Sequence, residues 1–346
     1  GVKYFSNKGT KISDELELEI EEIIEGTGLK ELTAINDKIG VSETRQDLIE
    51  EYVYFFRKTF DEDIEKYNRD DFVVGIDVAN GATYEVADKV FNVLGIKHKI
   101  INSAPNGVNI NDNCGSTHLE NIKNYVIENR LSLGIAYDGD GDRCLAIDEF
   151  GNEIDGDVML AIVSSYFKEK RILKNNALVA TVMSNLGLSE YAVDTDITLK
   201  QTKVGDRYVL EEMQNGGYNL GGEQSGHIIF LDYNPTGDGI LTSLMLIKIL
   251  LEKNISASKA AEIMTIYPQT LVNAKVNSEK KELYKENEKI QKAIREAEEE
   301  FNGQGRVLIR PSGTEPLVRV MIEGKDKKQI EQKAKQITEI IEQELS

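Results

Sequence analysis

"AYDGDGDRCLAID", Ala136 to Asp148, sets three aspartates at alternate positions, Asp138, Asp140 and Asp142, with only glycine between them. Carboxylates this close repel one another unless something positive lies among them. The flanks read as strands, because "LSLGIAY" before the triplet and "CLAIDE" after it are short apolar runs. Helices would be needed for the nearest rival, a calcium-binding helix–loop–helix, which also wants glycine at the sixth loop position, where this chain has Arg143. The triplet therefore closes a strand at its carboxyl end, the edge at which open α/β sheets bind ligands. Hard oxygen donors suit Mg²⁺, which prefers six oxygens and commonly takes some from a phosphate.

Outward from the triplet, strands and helices alternate. Upstream, "FVVGIDVA" (72–79) and "KHKIIN" (97–102) read as strands, and "ATYEVADKVFNVLG" (82–95) and "THLENIKNYVIENR" (117–130) as helices. Downstream the cycle restarts with a helix at 157–170 and a strand "ALVATVM" at 177–183. "NLGLSEYAVD" (helix), "ITLKQTKV" (strand) and "DRYVLEEMQN" (helix) follow. This spacing predicts tandem α/β domains with mixed sheets. The last segment differs: a strand over 268–276, one long charged helix from about 279 to 301, a hairpin of "GRVLIR" and "LVRVMIEG", and a terminal helix from about 327 to 344. That is an α+β layout. The start holds a strand-like "GVKYF", a Glu-rich helix from Ser13 to Glu25 and a helix from about Glu43 to Phe60. The expected division is 1–50, 51–151, 152–266 and 267–346.

Net charge is −19 over 346 residues, and no basic stripe offsets it, which argues against nucleic acid or an anionic membrane as partner. No apolar run reaches the ~18 residues of a membrane span. Cys114 and Cys144 lack metal-ligand spacing, and a reducing cytoplasm is expected. An anionic substrate would then need local basic islands, and two stand out. "RPSGTEPLVR" (310–319) offers Arg310 and Arg319 for bidentate grips, hydroxyls from Ser312 and Thr314, and backbone amides around Gly313: a phosphate cradle by composition. "TKVGDRYV" (202–209) gathers Lys203, Asp206 and Arg207 around Gly205 at a strand-to-helix corner, where a helix N-terminus favours anions. A third loop, "LGGEQSGHIIF" (220–230), alternates Glu223, Ser225 and His227, which would share one face if extended. An acid and a hydroxyl are groups that read sugar hydroxyls. A metal, a sugar reader, a basic corner and a phosphate cradle together suit transfer of phosphate on a sugar.

"DGDGDR", "GGEQSGH" and "RPSGTEP", in this order, resemble the α-D-phosphohexomutase superfamily. With Gln224 in the second motif, the chain is most similar to the branch of bacterial phosphoglucosamine mutases. The phosphomannomutase/phosphoglucomutase branch, the enzyme alternative, has Met there and a Gly-His where this chain reads Gly205-Asp206. A calcium-binding protein is the non-enzymatic alternative. The resemblance implies Mg²⁺ on Asp138, Asp140 and Asp142, sugar contacts from Glu223 and Ser225, and a specificity loop from Lys203 to Arg207. It also implies that Arg310, Ser312, Gly313, Thr314 and Arg319 hold the non-reacting phosphate. Arg143 is expected to orient a seryl phosphate or an aspartate, and Lys203 to act as general base. The implied reaction interconverts glucosamine 6-phosphate and glucosamine 1-phosphate through a phosphoserine and glucosamine 1,6-bisphosphate, in a homodimer. The implied phosphoserine loop, Ser-His-Asn-Pro, does not occur. Residues 1–50 are thus expected to be the remnant of a first domain, and this chain to be inactive without the rest of it.

Overall fold

The computed structural model describes residues 4–7, 9–26, 33–67, 70–312 and 315–346. They fall into two compact units, residues 1–184 with 192–263, and residues 185–191 with 264–346.

The first unit opens with an isolated bridge between Phe5 and Lys11, so the described part of the opening pairs only briefly. Helix α1 (Asp14–Glu25) follows, its first turn capped by Ser13, whose hydroxyl accepts from the Leu16 amide. Helix α2 (Gln46–Tyr67) buries Phe56, Phe60 and Ile64, spaced four apart on one face. Then come β1 (Val74–Asp77), α3 (Val86–Val93), β2 (His98–Ile101), α4 (Glu120–Asn129), β3 (Leu133–Tyr137), β4 (Cys144–Ile147) and β5 (Glu153–Ile154). They form one sheet in the order β2-β1-β3-β4-β5. β1 is parallel to both β2 and β3, whereas β4 returns antiparallel to β3. β1, β3 and β4 are buried at every residue, as strands covered on both faces must be.

Helix α5 (Gly156–Glu169) leads into a second sheet, built from β6 (Ala177–Thr181), β7 (Thr198–Thr202), β8 (Leu220–Gly222) and β9 (Ile228–Phe230) in the order β7-β6-β8-β9. α6 (Leu186–Asp194) and α7 (Asp206–Gly216) supply its crossovers, and β8–β9 is an antiparallel hairpin. Helix α8 (Gly239–Lys253), "GILTSLMLIKILLEK", is apolar nearly all round and almost wholly buried; its lack of a polar face leaves no amphipathic period to read. The short α9 (Ala257–Ala261) ends the unit.

In the second unit, β10 (Gln269–Lys275), α10 (Glu288–Phe301), β11 (Gly305–Pro311), β12 (Leu317–Gly324) and α11 (Lys327–Leu345) form an antiparallel sheet, β10-β12-β11, with two helices. Ile330, Ala334, Ile337, Ile341 and Leu345 of α11 pack with Ile290, Ala297 and Phe301 of α10 over Val318, Val320 and Ile322. The single helix expected over 279–301 is broken. Asn287 turns its side chain back to accept from the Lys289 and Ile290 amides, so α10 starts there and a short 3₁₀ turn, Lys281–Lys285, precedes it. Among the described residues no helix is long and apolar enough to cross a membrane.

Candidate metal and phosphosugar site

The aspartate triplet occupies the β3–β4 connection, where the sheet changes from parallel to antiparallel. Its glycines are needed because neighbours come very close: a Cβ on Gly139 would lie 2.6 Å from Asn111 Nδ2, and one on Gly141, at φ +77°, 2.6 Å from Thr83 Cγ2. A Cβ on Gly81 would lie 2.3 Å from the Gly139 carbonyl oxygen, where the Ala82 amide already donates at 2.8 Å. Gly239, at the start of α8, donates to the Gly141 carbonyl at 2.9 Å. Asp238 beside it caps α8 through the Leu241 amide, and both its oxygens accept from the Tyr52 hydroxyl, at 3.0 and 2.9 Å.

Within this clasp, one carboxylate oxygen from each of Asp138, Asp140 and Asp142 lies within 4.8 Å of the others. Asp138 is buried, and its Oδ1 accepts from the Gly141 and Arg143 amides, each at 3.1 Å. Burial pushes its carboxyl up to about 7, reinforced by a hydrogen bond shared with Asp140 and by the charge of Asp142. A proton held there is one that a cation would displace. Four buried polar atoms in the surrounding segments lack a hydrogen-bond partner among the described residues: Arg143 Nε, Ser225 Oγ, Thr83 Oγ1 and Asn111 Oδ1. Hard oxygen donors, a raised carboxyl and orphaned polar atoms fit a site that takes Mg²⁺ with an oxyanion.

The second sheet meets this loop through the β8–β9 hairpin. Glu223, Ser225 and His227 do not alternate along an extended strand, as expected from their spacing. The chain turns there, with the Gly226 amide donating to the Glu223 carbonyl at 3.0 Å and the Glu223 amide to the His227 carbonyl at 3.0 Å. Gly226 takes φ +90°, and a Cβ on it would lie 2.1 Å from the Cys144 carbonyl oxygen. The Cys144 amide donates to the Gly226 carbonyl at 3.1 Å, so the turn is seated on the first residue of β4. Gln224 donates to Asp155, the cap of α5, at 3.1 Å. Glu223 Oε1 accepts from the Gly205 amide at 3.1 Å, which joins the expected sugar reader to the expected specificity loop.

In that loop Gly205, at φ +133°, takes the cap position of α7, and Asp206 is the first helical residue. Arg207 bonds Glu211 at 2.9 Å, and exposed Lys203 holds its ammonium 5.8 Å from the Tyr208 ring centroid. His227, on the loop expected to read the sugar, is buried. Its Nδ1 faces Asp142 Oδ2 at 3.3 Å, and its Nε2 accepts from the Gly237 amide at 3.2 Å. Gly237 and Asp238, which shape this corner, were missed; the only trace of them is the turn-forming run "NPTGDG" before α8.

In the second unit, Arg310 and Arg319 are direct cross-strand partners on β11 and β12. Like charges directly opposite are destabilising unless an anion joins them. Arg319 reaches Glu315 at 3.5 Å, and the buried Ser312 hydroxyl accepts from the Glu315 amide at 3.2 Å. Gly313 and Thr314 lie outside the described residues.

Comparison with known proteins agrees with this layout. Models of phosphoglucomutase/phosphomannomutase match in three pieces: alpha/beta/alpha domain II at residues 50–151, alpha/beta/alpha domain III at 155–267, and the C-terminal domain at 271–340. N-acetylglucosamine-phosphate mutase in its product complex superposes with TM-score 0.69 at 20% identity, over 84% of this chain and 65% of that one. The Aspergillus fumigatus N-acetylphosphoglucosamine mutase in complex with GlcNAc-6P and magnesium superposes equally well, at 19% identity over 85% of this chain and 66% of that one. The fold is that of the phosphohexomutases, Mg²⁺-dependent intramolecular phosphotransferases of the isomerase class. Phosphoglucosamine mutase of Ruminiclostridium cellulolyticum is 50% identical over all 346 residues, and that of Clostridium acetobutylicum 48% over 342. The chain belongs to the phosphoglucosamine mutase family and spans about three quarters of the length of these relatives.

Proposed function

We propose that this chain carries the metal, sugar and phosphate loops of an enzyme that interconverts glucosamine 6-phosphate and glucosamine 1-phosphate. A phosphoserine and glucosamine 1,6-bisphosphate would be its intermediates. The observation that supports this reading best is the closure of the aspartate triplet beside the Glu223–Gly205 corner. Asp138, Asp140 and Asp142 would hold Mg²⁺, which when bound neutralises phosphoryl charge. Glu223 and Ser225 would bind the sugar, and the Gly205–Asp206–Arg207 corner would sort one hexose phosphate from another. Arg310, Ser312 and Arg319, with Gly313 and Thr314, would grip the phosphate that does not react. Arg143 would orient the transferring phosphoryl group, and Lys203 would take the hydroxyl proton. In phosphoryl transfer such positioning and charge neutralisation supply most of the rate. The enzyme would work in the cytoplasm as a homodimer, without a nucleic-acid partner.

Calorimetric titration of the chain with glucosamine, glucose and mannose 6-phosphates tests the sugar. The glucosamine ester should bind tightest. Equal or tighter binding of mannose 6-phosphate would move the chain to the phosphomannomutase/phosphoglucomutase branch.

A further inference from the structure

Of the three aspartates, Asp138 and Asp142 are steadied by visibly different means. Asp138 is fixed by amides of its own loop. Asp142 is approached by a side chain from the other sheet, His227, which stands at the foot of β9 and is 3% exposed. The ring's chemistry follows from its second contact. Nε2 accepts from the Gly237 amide, and an accepting nitrogen carries no proton. The ring hydrogen therefore sits on Nδ1, pointing at Asp142 Oδ2. Gly237 also sets the ring's position, since a Cβ there would lie 2.5 Å from Cε1 and 2.6 Å from both ring nitrogens. Any residue but glycine at 237 would push the ring.

The geometry points to His227 as a positioning residue for the metal site, a neutral donor whose tautomer the Gly237 amide dictates. It would hold one oxygen of Asp142 so that the other faces the cation. This rests on the metal reading above. In metal sites generally, a partner that fixes a ligand's orientation is worth about 10–100-fold in metal affinity. The same contact ties the second sheet to the metal loop, so metal binding and the seating of the β8–β9 turn should reinforce each other.

The test is Mn²⁺ binding to the chain, read from the spectroscopic signal of the free ion, with melting in chelator as the control for folding. His227→Ala should weaken Mn²⁺ binding at least tenfold. Gly237→Ala, which leaves the histidine in place, should weaken it similarly. His227→Asn puts an amide donor near the place of Nδ1 and should recover binding to within about threefold of the unmodified chain. Asp140→Asn should abolish it. If His227→Ala fails to fold, the Asn and Gly237 variants decide. Binding unchanged in Gly237→Ala, or as weak in His227→Asn as in His227→Ala, would overturn the positioning role and leave the metal reading standing. No Mn²⁺ binding by the unmodified chain would overturn the metal reading itself.

Discussion

The aspartate loop and the arginine hairpin both concentrate charge of one sign, but they are built in opposite ways. The first is enclosed. Backbone of Gly81–Ala82 and of Gly239 touches its glycines, and its carboxylates are positioned by amides and a buried ring. The second is open, with two arginines facing each other across an antiparallel pair and one partly satisfied by Glu315. A small cation bound by carboxylates needs donors fixed to fractions of an ångström, and close-packed backbone supplies that. A phosphate group is large and can be gripped by long side chains that adjust to it.

The sharpest way to break this contrast is to add one methyl group at the enclosed turn seated beside the metal loop and one at an open turn of the second unit. Gly226→Ala meets the Cys144 carbonyl and an unfavourable φ together, and should destabilise the chain by about 3 kcal/mol or more in denaturant unfolding. Gly303→Ala, at φ +75° with nothing within 4 Å, should cost only about 1 kcal/mol. Comparable losses would mean the hairpin seat is softer than its contacts suggest. Next in size, Arg310→Ala should lower affinity for a hexose phosphate about 10- to 100-fold while leaving Mn²⁺ binding unchanged. A joint loss would contradict the division of labour between the loops.

A subtler effect concerns pH. Asp138 holds its proton more tightly folded than unfolded. Its contribution to stability is therefore full below the ordinary carboxylate range and is lost as pH rises to about 7. Melting temperature in chelator should fall across that window. Saturating Mg²⁺ should flatten the slope, and Asp138→Asn should remove this group's share of it. A slope that Mg²⁺ leaves unchanged would separate the raised carboxyl from the cation. The smallest effect is a gain: Arg310→Ala relieves cross-strand repulsion and should raise stability in phosphate-free buffer by about 0.2–1 kcal/mol.

The metal loop was legible because its chemistry is contiguous: three acids, two glycines and strand-like flanks within a dozen residues. The alternation of sheets and helices was legible for the same reason, since each period is local. Helix α8 was not, because complete burial erases the amphipathic period. The contacts of His227 could not be read from the sequence because its partners, Asp142 and Gly237, are distant along the chain and meet only in the fold. The spacing of Glu223, Ser225 and His227 fits a strand and a glycine-borne turn equally well, and close approach to Cys144 selected the turn.

Both of the chain's cysteines border the metal loop and are buried. Cys114 precedes Gly115, where a Cβ would lie 2.5 Å from the Tyr137 carbonyl oxygen, and Cys144 begins β4 under the Gly226 turn. Burial raises both thiols, so neither is reactive while the walls stay shut. Alkylation must then wait for local opening of those walls, and its rate becomes a clock for how often they part. The protein thus carries its own pair of reporters in the walls around the aspartate loop.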